Sequence, residues 1–217
     1  MKIFENFSKY FILGIFFIIL NSCSSKVAQE YNKSDFYWYS KMIDDISKGY
    51  MEKANDSFVS LQIEHKNSFF ISSALLILIK TYINEEKYKL ANYYLELYSE
   101  KFSNNSNIDY IEYMNIKIDF LSMKYQNRNQ EFLLDTLTRV DDFINKFSTS
   151  YYLLLVKNIQ STLLISKSYL YKNIASLYKT QNKQKAYELY LKKSHNAWSD
   201  FNNTKAEDLV WYRSIFE

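Results

Sequence analysis

Proline is absent from this 217-residue chain, and glycine occurs twice, as Gly14 and Gly49. Glycine and proline are the strongest chain breakers, and tight β-turns depend on them. A fold of many short strands is therefore disfavoured. The chain must reverse direction in polar stretches of Asn, Ser and Lys, and helices joined by short loops do this best. Tyrosine and phenylalanine, with 21 and 16 copies, fill the space between paired helices with few residues.

Gly14 lies in a segment of a different kind. Residues 1–22 begin with Lys2 and Lys9, continue as an unbroken apolar run over residues 11–20, and end at Asn21-Ser22 before Cys23. A basic start, a short apolar run and small residues ahead of a processing point make an export signal. The run is too short to cross a bilayer, which takes about 20 apolar residues. Cys23 is the one cysteine in the chain. Its place directly after the run resembles the lipobox of bacterial lipoproteins, in which the leader is removed and the cysteine is acylated. The alternative is an uncleaved anchor with an incidental cysteine. By the same resemblance, Ser24 in place of an aspartate implies sorting to the outer membrane, facing the periplasm. A chain held by several acyl groups is anchored to the membrane and does not span it.

The formal charge of +3 stays close to balanced when Lys2, Lys9 and Glu5 leave with the leader. No basic field large enough for nucleic acid remains. With Cys23 acylated no disulfide can form, so packing alone must hold the fold together. The mature chain is long enough for a sizeable core.

Apolar residues recur at helical spacing along the rest. Residues 35–48 carry Tyr39, Met42, Ile43 and Ile46, and Gly49 follows where a left-handed C′ residue is expected. A second helix carries Ala54, Phe58 and Leu61. Ser68 is read as the N-cap of a third, with Leu75, Leu78, Ile79 and Tyr82. The turn at Asn84-Glu85-Glu86 leads to Tyr88, Ala91, Leu95, Tyr98 and Phe102. Further stripes follow: Ile111, Met114, Ile118 and Leu121; then Leu133, Leu137, Val140, Ile144 and Phe147. Residues 151–178 hold no breaker, which predicts one long helix or two nearly collinear ones. Ala186, Leu189 and Tyr190 open the next helix, and residues 204–216 form a last amphipathic segment.

A series of helix pairs invites a search for repeats. Ala54 with Phe58 and Leu61 compares well with Ala91, Leu95 and Tyr98, and the two alanines stand 37 residues apart. The tetratricopeptide period is about 34. Ala186 with Tyr190 is a third echo. In such repeats a small residue lets two helices approach, and an aromatic four residues later fills the groove beside it. The glycine and closing proline of the repeat are missing, with Lys66 and Ser103 at the proline places. The expectation is an all-α, tetratricopeptide-like right-handed solenoid of about five helix pairs; a generic helical bundle is the alternative. The organisation expected is a leader at 1–22, a flexible lipidated tether at 23–34, and a repeat domain at 35–217. Within that domain the N-terminal repeats span 35–105 and the C-terminal repeats 106–217.

Catalytic patterns are missing. His65 and His195 stand alone, no His-Glu-x-x-His or glycine-rich phosphate loop occurs, and there is no Gly-x-Ser-x-Gly. Asp44-Asp45 and Asp141-Asp142 are adjacent in sequence and diverge on a helix, whereas a catalytic carboxylate pair must converge. No enzyme activity, cofactor or metal is expected.

With the lipobox and repeats, four local phrases resemble the BamD (ComL) family of lipoproteins of outer-membrane β-barrel assembly. They are Tyr37-Trp38-Tyr39, Tyr88 with Ala91, the turn from Phe147 to Tyr151, and Ile174-Ala175-Ser176-Leu177-Tyr178 ahead of Ala186. The resemblance covers most of the chain. It implies a lipid-anchored scaffold whose C-terminal half binds the barrel-forming subunit beside other assembly lipoproteins. It also implies an N-terminal groove that receives unfolded outer-membrane proteins. Tyr37, Tyr39, Lys41, Lys80 and Tyr82 are candidates for that groove, with the tyrosines packing aromatics and Lys41 or Lys80 meeting a carboxylate. Ordinary inter-helix core is the other role open to these tyrosines. Where the family often carries an arginine for the barrel subunit, this chain has Tyr190. Lys192 and Lys193 stand near it, but lysine cannot replace a bidentate guanidinium. Two rivals remain: a peptidoglycan-associated enzyme or its activator, and a repeat adaptor of another envelope complex.

Overall fold

The computed structural model describes residues 30–123 and 130–198. Among them the chain forms α1 (Asp35–Ser47), α2 (Met51–Glu64), α3 (Phe70–Asn84), α4 (Tyr88–Phe102), α5 (Ile108–Ser122), α6 (Gln130–Lys146), α7 (Leu153–Thr180) and α8 (Gln184–Ala197), with no strand. Each helix packs on the next in sequence; α1 also touches α3, and α5 touches α7. Contacts that skip one helix set odd-numbered helices side by side, which is the signature of a stacked solenoid. The fold is all-helical and tetratricopeptide-like, in four pairs among the described residues. The segment 204–216, the basis for a fifth, lies outside them. The breaker-free stretch is one helix of 28 residues, α7.

Helix α1 starts at Ser34, whose hydroxyl accepts the Tyr37 N–H at 3.2 Å. It ends at Gly49, which has φ +78°. There the Gly49 N–H donates to the Ile46 carbonyl and the Tyr50 N–H to that of Asp45, the paired bonds of a Schellman turn. Glu86 (φ 59°) and Asn182 (φ 57°) close α3 and α7 in the same way. Glu86 donates to Ile83 and Lys87 to Tyr82; Asn182 donates to Lys179 and Lys183 to Tyr178. The chain thus uses one turn three times with a single glycine. The other two sites accept a left-handed residue that costs roughly 1–2 kcal/mol outside glycine.

Aligning these turns sets the register of the pairs. Ala54 and Ala91, both fully buried, occupy the same place. In α8 that place belongs to Tyr187, and Ala186 comes one residue earlier. The third echo read from the sequence is therefore out of register, and one residue turns a helix by about 100°. The same alignment equates Asp45, Tyr82 and Tyr178, and likewise Ser57, Tyr94 and Tyr190. Tyr82 stacks on Tyr94 at 5.5 Å and Tyr178 on Tyr190 at 5.4 Å. In the first pair the two places hold buried Asp45 and Ser57, and Asp45 Oδ2 has no hydrogen-bond partner.

A second device recurs between odd helices. Ser68 Oγ donates to Asp35 Oδ2 at 2.8 Å, and Ser150 Oγ to Asp109 Oδ2 at 2.7 Å. Each serine also accepts the N–H two residues on, from Phe70 and from Tyr152. The N-cap place expected for Ser68 is held by Phe69, and Ser68, two residues before the start of α3, still accepts the Phe70 N–H. Around each Asp–Ser bond sits the same set of rings. Phe70 lies 5.9 Å from Phe36 and 4.7 Å from Tyr39; Tyr152 lies 5.6 Å from Tyr110 and 4.9 Å from Tyr113.

The core is continuous through α5. Ile111, Met114 and Ile118 face the cluster built by α1 to α4, while Ile116 joins Leu133, Leu137, Val140, Phe143, Val156 and Leu163.

Candidate partner-binding site

Helix α1 places Tyr37 and Lys41 one turn apart on one face. A carboxylate already lies across them. Tyr37 Oη donates to Glu30 Oε2 at 2.5 Å, and Lys41 Nζ reaches the same oxygen at 2.8 Å. Lys41 also lies over the rings of Tyr37 and Trp38 at 5.8 and 5.7 Å. The Lys41 and Tyr37 hydrogen bonds hold the Glu30 carboxyl below the ordinary carboxylate range. Glu30 in turn raises both the Lys41 ammonium and the Tyr37 phenol. Beneath the pair, Trp38 is buried and its Nε1–H donates to Glu64 at 2.8 Å, tying α1 to the end of α2.

The pair thus holds one carboxylate, the chain's own Glu30, with aromatic faces beside it. Residues 30–34, counted with the tether by sequence, are fixed on α1. His65 fastens the same strand, with Nε2 2.7 Å from the Lys33 carbonyl oxygen.

The other groove candidates go elsewhere. Tyr39 points to the α3 side, half-buried and stacked on Phe70. Lys80 is exposed on α3. Tyr82 is corrected from groove to core: it is 1% exposed, its hydroxyl accepts from Asn55 Nδ2 at 2.6 Å, and its ring lies on Tyr94. Asn55 Oδ1 accepts the Tyr94 hydroxyl at 3.1 Å, so one amide of α2 joins α3 and α4. Burial, with Tyr82 and Tyr93 nearby, pushes the Tyr94 phenol up to about 12.

At the other end, Tyr190 is half-buried, 6.0 Å from Tyr171 and 5.4 Å from Tyr178. Lys193 lies 4.7 Å over its ring, and Lys192 is exposed. Cys23 lies outside the described residues. Sequence reasoning missed Glu30, Glu64 and the Asp–Ser clasps. The repeated Asp-aromatic and Ser-aromatic-aromatic phrases carried a signal for the last of these. Among the described residues no group of three His, Cys, Asp or Glu side chains is placed to hold a metal ion.

The profile of the YfiO family, described as outer membrane lipoprotein, matches residues 31–211. The chain belongs to the YfiO family of outer membrane lipoproteins. It is therefore an outer-membrane protein held by a lipid anchor. A curated relative from Helicobacter pylori, named outer membrane protein assembly factor BamD, is 27% identical over 219 residues, covering 100% of this chain and 99% of its own. As a YfiO protein the chain is also a member of the BamD group that its lipobox and repeats resemble. No helix among its described residues is long and apolar enough to cross a membrane.

Proposed function

We propose that this YfiO protein works in outer-membrane protein assembly as a non-catalytic scaffold. Acylated Cys23 holds it on the periplasmic face of the outer membrane. Its helical repeats bind the barrel-forming subunit and other assembly lipoproteins, and its first repeat receives unfolded outer-membrane proteins. The family match over most of the chain, together with a relative aligned end to end that is named as an assembly factor, carries the reading. The Tyr37–Lys41 carboxylate receptor supports the substrate role, because an extended chain with an aromatic end offers both groups that the face accepts. The stacked helix pairs supply the extended surface that binding needs.

Affinity purification of the chain from detergent-solubilised membranes tests the scaffold. The barrel-forming subunit should co-elute under gentle conditions, and its absence sinks the reading. Cys23→Ala should abolish lipid labelling; a normally labelled variant would refute acylation at that residue.

A further inference from the structure

We infer that the end of the solenoid carrying Phe36 and Phe69 rests on the phospholipid surface of the leaflet that holds Cys23. The inference depends on the lipid anchoring proposed above.

Chain length gives the first argument. Glu30 is fastened to Tyr37 and Lys41, so the length of chain between Cys23 and Glu30 sets how far this end stands from Cys23. Seven extended residues reach at most ~25 Å, whatever path they take. The start of α1 therefore works within that distance of the acyl chains, and Phe36 adjoins Tyr37.

The surface chemistry is the second. Phe36 is 62% exposed, Phe69 74% and Ile63 65%. Phe36 and Phe69 both pack on Phe70, at 5.9 and 4.0 Å. Ile63 lines an open cleft with Asp35, Lys66 and Ser68, directly beside them. The acidic side chains here are engaged internally: Glu30 with Lys41, Asp35 with Ser68, Glu64 with Trp38. Lys33 and Lys66 are exposed; Lys33 lies 5.6 Å over the Tyr37 ring with its charge near Glu30. Exposed rings beside exposed lysines match an interface with anionic headgroups.

The molecule contains its own comparison. The second clasp has the same Asp–Ser bond and the same two inner ring contacts, yet where the first carries Phe36, Phe69 and Phe70 it carries Tyr110, Tyr151 and Tyr152; the outer rings differ, Phe69 tilted on Phe70 at 4.0 Å and Tyr151 edge-on to Tyr152 at 5.7 Å. Tyr151 is 89% exposed. One scaffold is thus written in phenylalanine beside the tether and in tyrosine far along the chain. The inner contacts of the clasp do not ask for that difference, since Phe70 and Tyr152 meet the neighbouring rings at similar distances and angles. Insertion below the headgroups among the acyl chains does, because phenylalanine can go there whereas a tyrosine stays at headgroup level with its hydroxyl wet.

The acylated chain supplies the test. With Cys23 modified, a thiol introduced by Phe69→Cys or Tyr151→Cys is unique and takes an environment-sensitive fluorophore. Both sites are exposed, so the fold tolerates the change. The proteins are reconstituted in phosphatidylethanolamine–phosphatidylglycerol vesicles containing nitroxide-labelled lipid. Quenching should be several-fold stronger at position 69 than at 151, and should fall when Lys33 and Lys66 are both changed to glutamate. Equal quenching at both sites, or none at either while the protein still floats with the vesicles, overturns the docking and leaves the anchoring intact. Failure to float overturns the anchoring and the docking with it.

Discussion

Ser168 of α7 and Ser194 of α8 exchange hydrogen bonds, each hydroxyl donating to the other residue's carbonyl at 2.9 Å. Both are buried. Ser194 stands where α2 has Leu61 and α4 has Tyr98, so the last described pair is closed by two small hydroxyls in place of an apolar wedge. The backbones approach closely because nothing larger separates them.

Restoring the repeat residue there should harm the fold. Ser194→Leu is expected to cost about 1–3 kcal/mol through overpacking, and Ser168→Ala about 1 kcal/mol through one lost hydrogen bond. Urea denaturation midpoints measure both. A stabilised Ser194→Leu protein would mean that α7 and α8 are not held this close.

The register read from the three turns makes a second contrast. Ala54→Leu and Ala91→Leu enlarge fully buried sites and should each destabilise by about 1–3 kcal/mol. Ala186 is half-exposed, so Ala186→Leu should stay within about 0.5 kcal/mol of the parent. Thermal melts of the three variants separate the outcomes. Equal damage at all three would restore Ala186 as the true third echo.

Asn55 joins three helices through one amide. Asn55→Leu should cost about 1–3 kcal/mol, because the buried Tyr82 and Tyr94 hydroxyls lose their partner. Tyr94→Phe alone should cost less. In a double-mutant cycle the pair should couple by about 0.5–3 kcal/mol; strict additivity would show that the network carries no joint energy.

Acid should weaken the first clasp. The Ser68 hydrogen bond, with the Phe36 N–H, holds the Asp35 carboxyl below its ordinary value against the opposing effect of burial. A carboxyl depressed in the folded state stabilises the protein above its unfolded pKa, near pH 4, and that share is lost as the pH falls through the folded value. Ser68→Ala should therefore show a larger stability deficit at neutral pH than in acid well below pH 4, where only the share from the lost Phe70 N–H bond remains. A deficit that stays constant over this range would remove Asp35 from the account.

Glu30 should compete with any carboxylate ligand of the first repeat. Glu30→Ala frees Tyr37 and Lys41, so a peptide ending in phenylalanine should bind several-fold more tightly by fluorescence anisotropy. The amidated peptide should show no such gain. A gain with both peptides would mean that the pair does not read the carboxylate.

Among the described residues the type and order of the helices were legible in the chain, because apolar periodicity and the scarcity of breakers act locally. The stripe Leu75, Leu78, Ile79, Tyr82 is buried as its spacing requires, and the unbroken stretch after Ser150 is one helix. The turn at Gly49 was legible for the same reason. Its copies at Glu86 and Asn182 were not legible as the same motif, because backbone geometry is shared where side chains differ. That gap produced the slip at Ala186.

Membrane address and repeat character thus belong to the sequence by itself: they reside in contiguous signals, the basic and apolar run ahead of Cys23 and the helical stripes. Tertiary structure alone decided which side chains are available. It sent Tyr82 into the core, laid Glu30 across Tyr37 and Lys41, joined Asp35 to Ser68 and Asp109 to Ser150, and left Phe69 and Tyr151 standing out. Each of these depends on how one helix is rotated against the next. A stripe of apolar residues fixes that rotation only to the width of the stripe, and the choice within it is made by the facing helix.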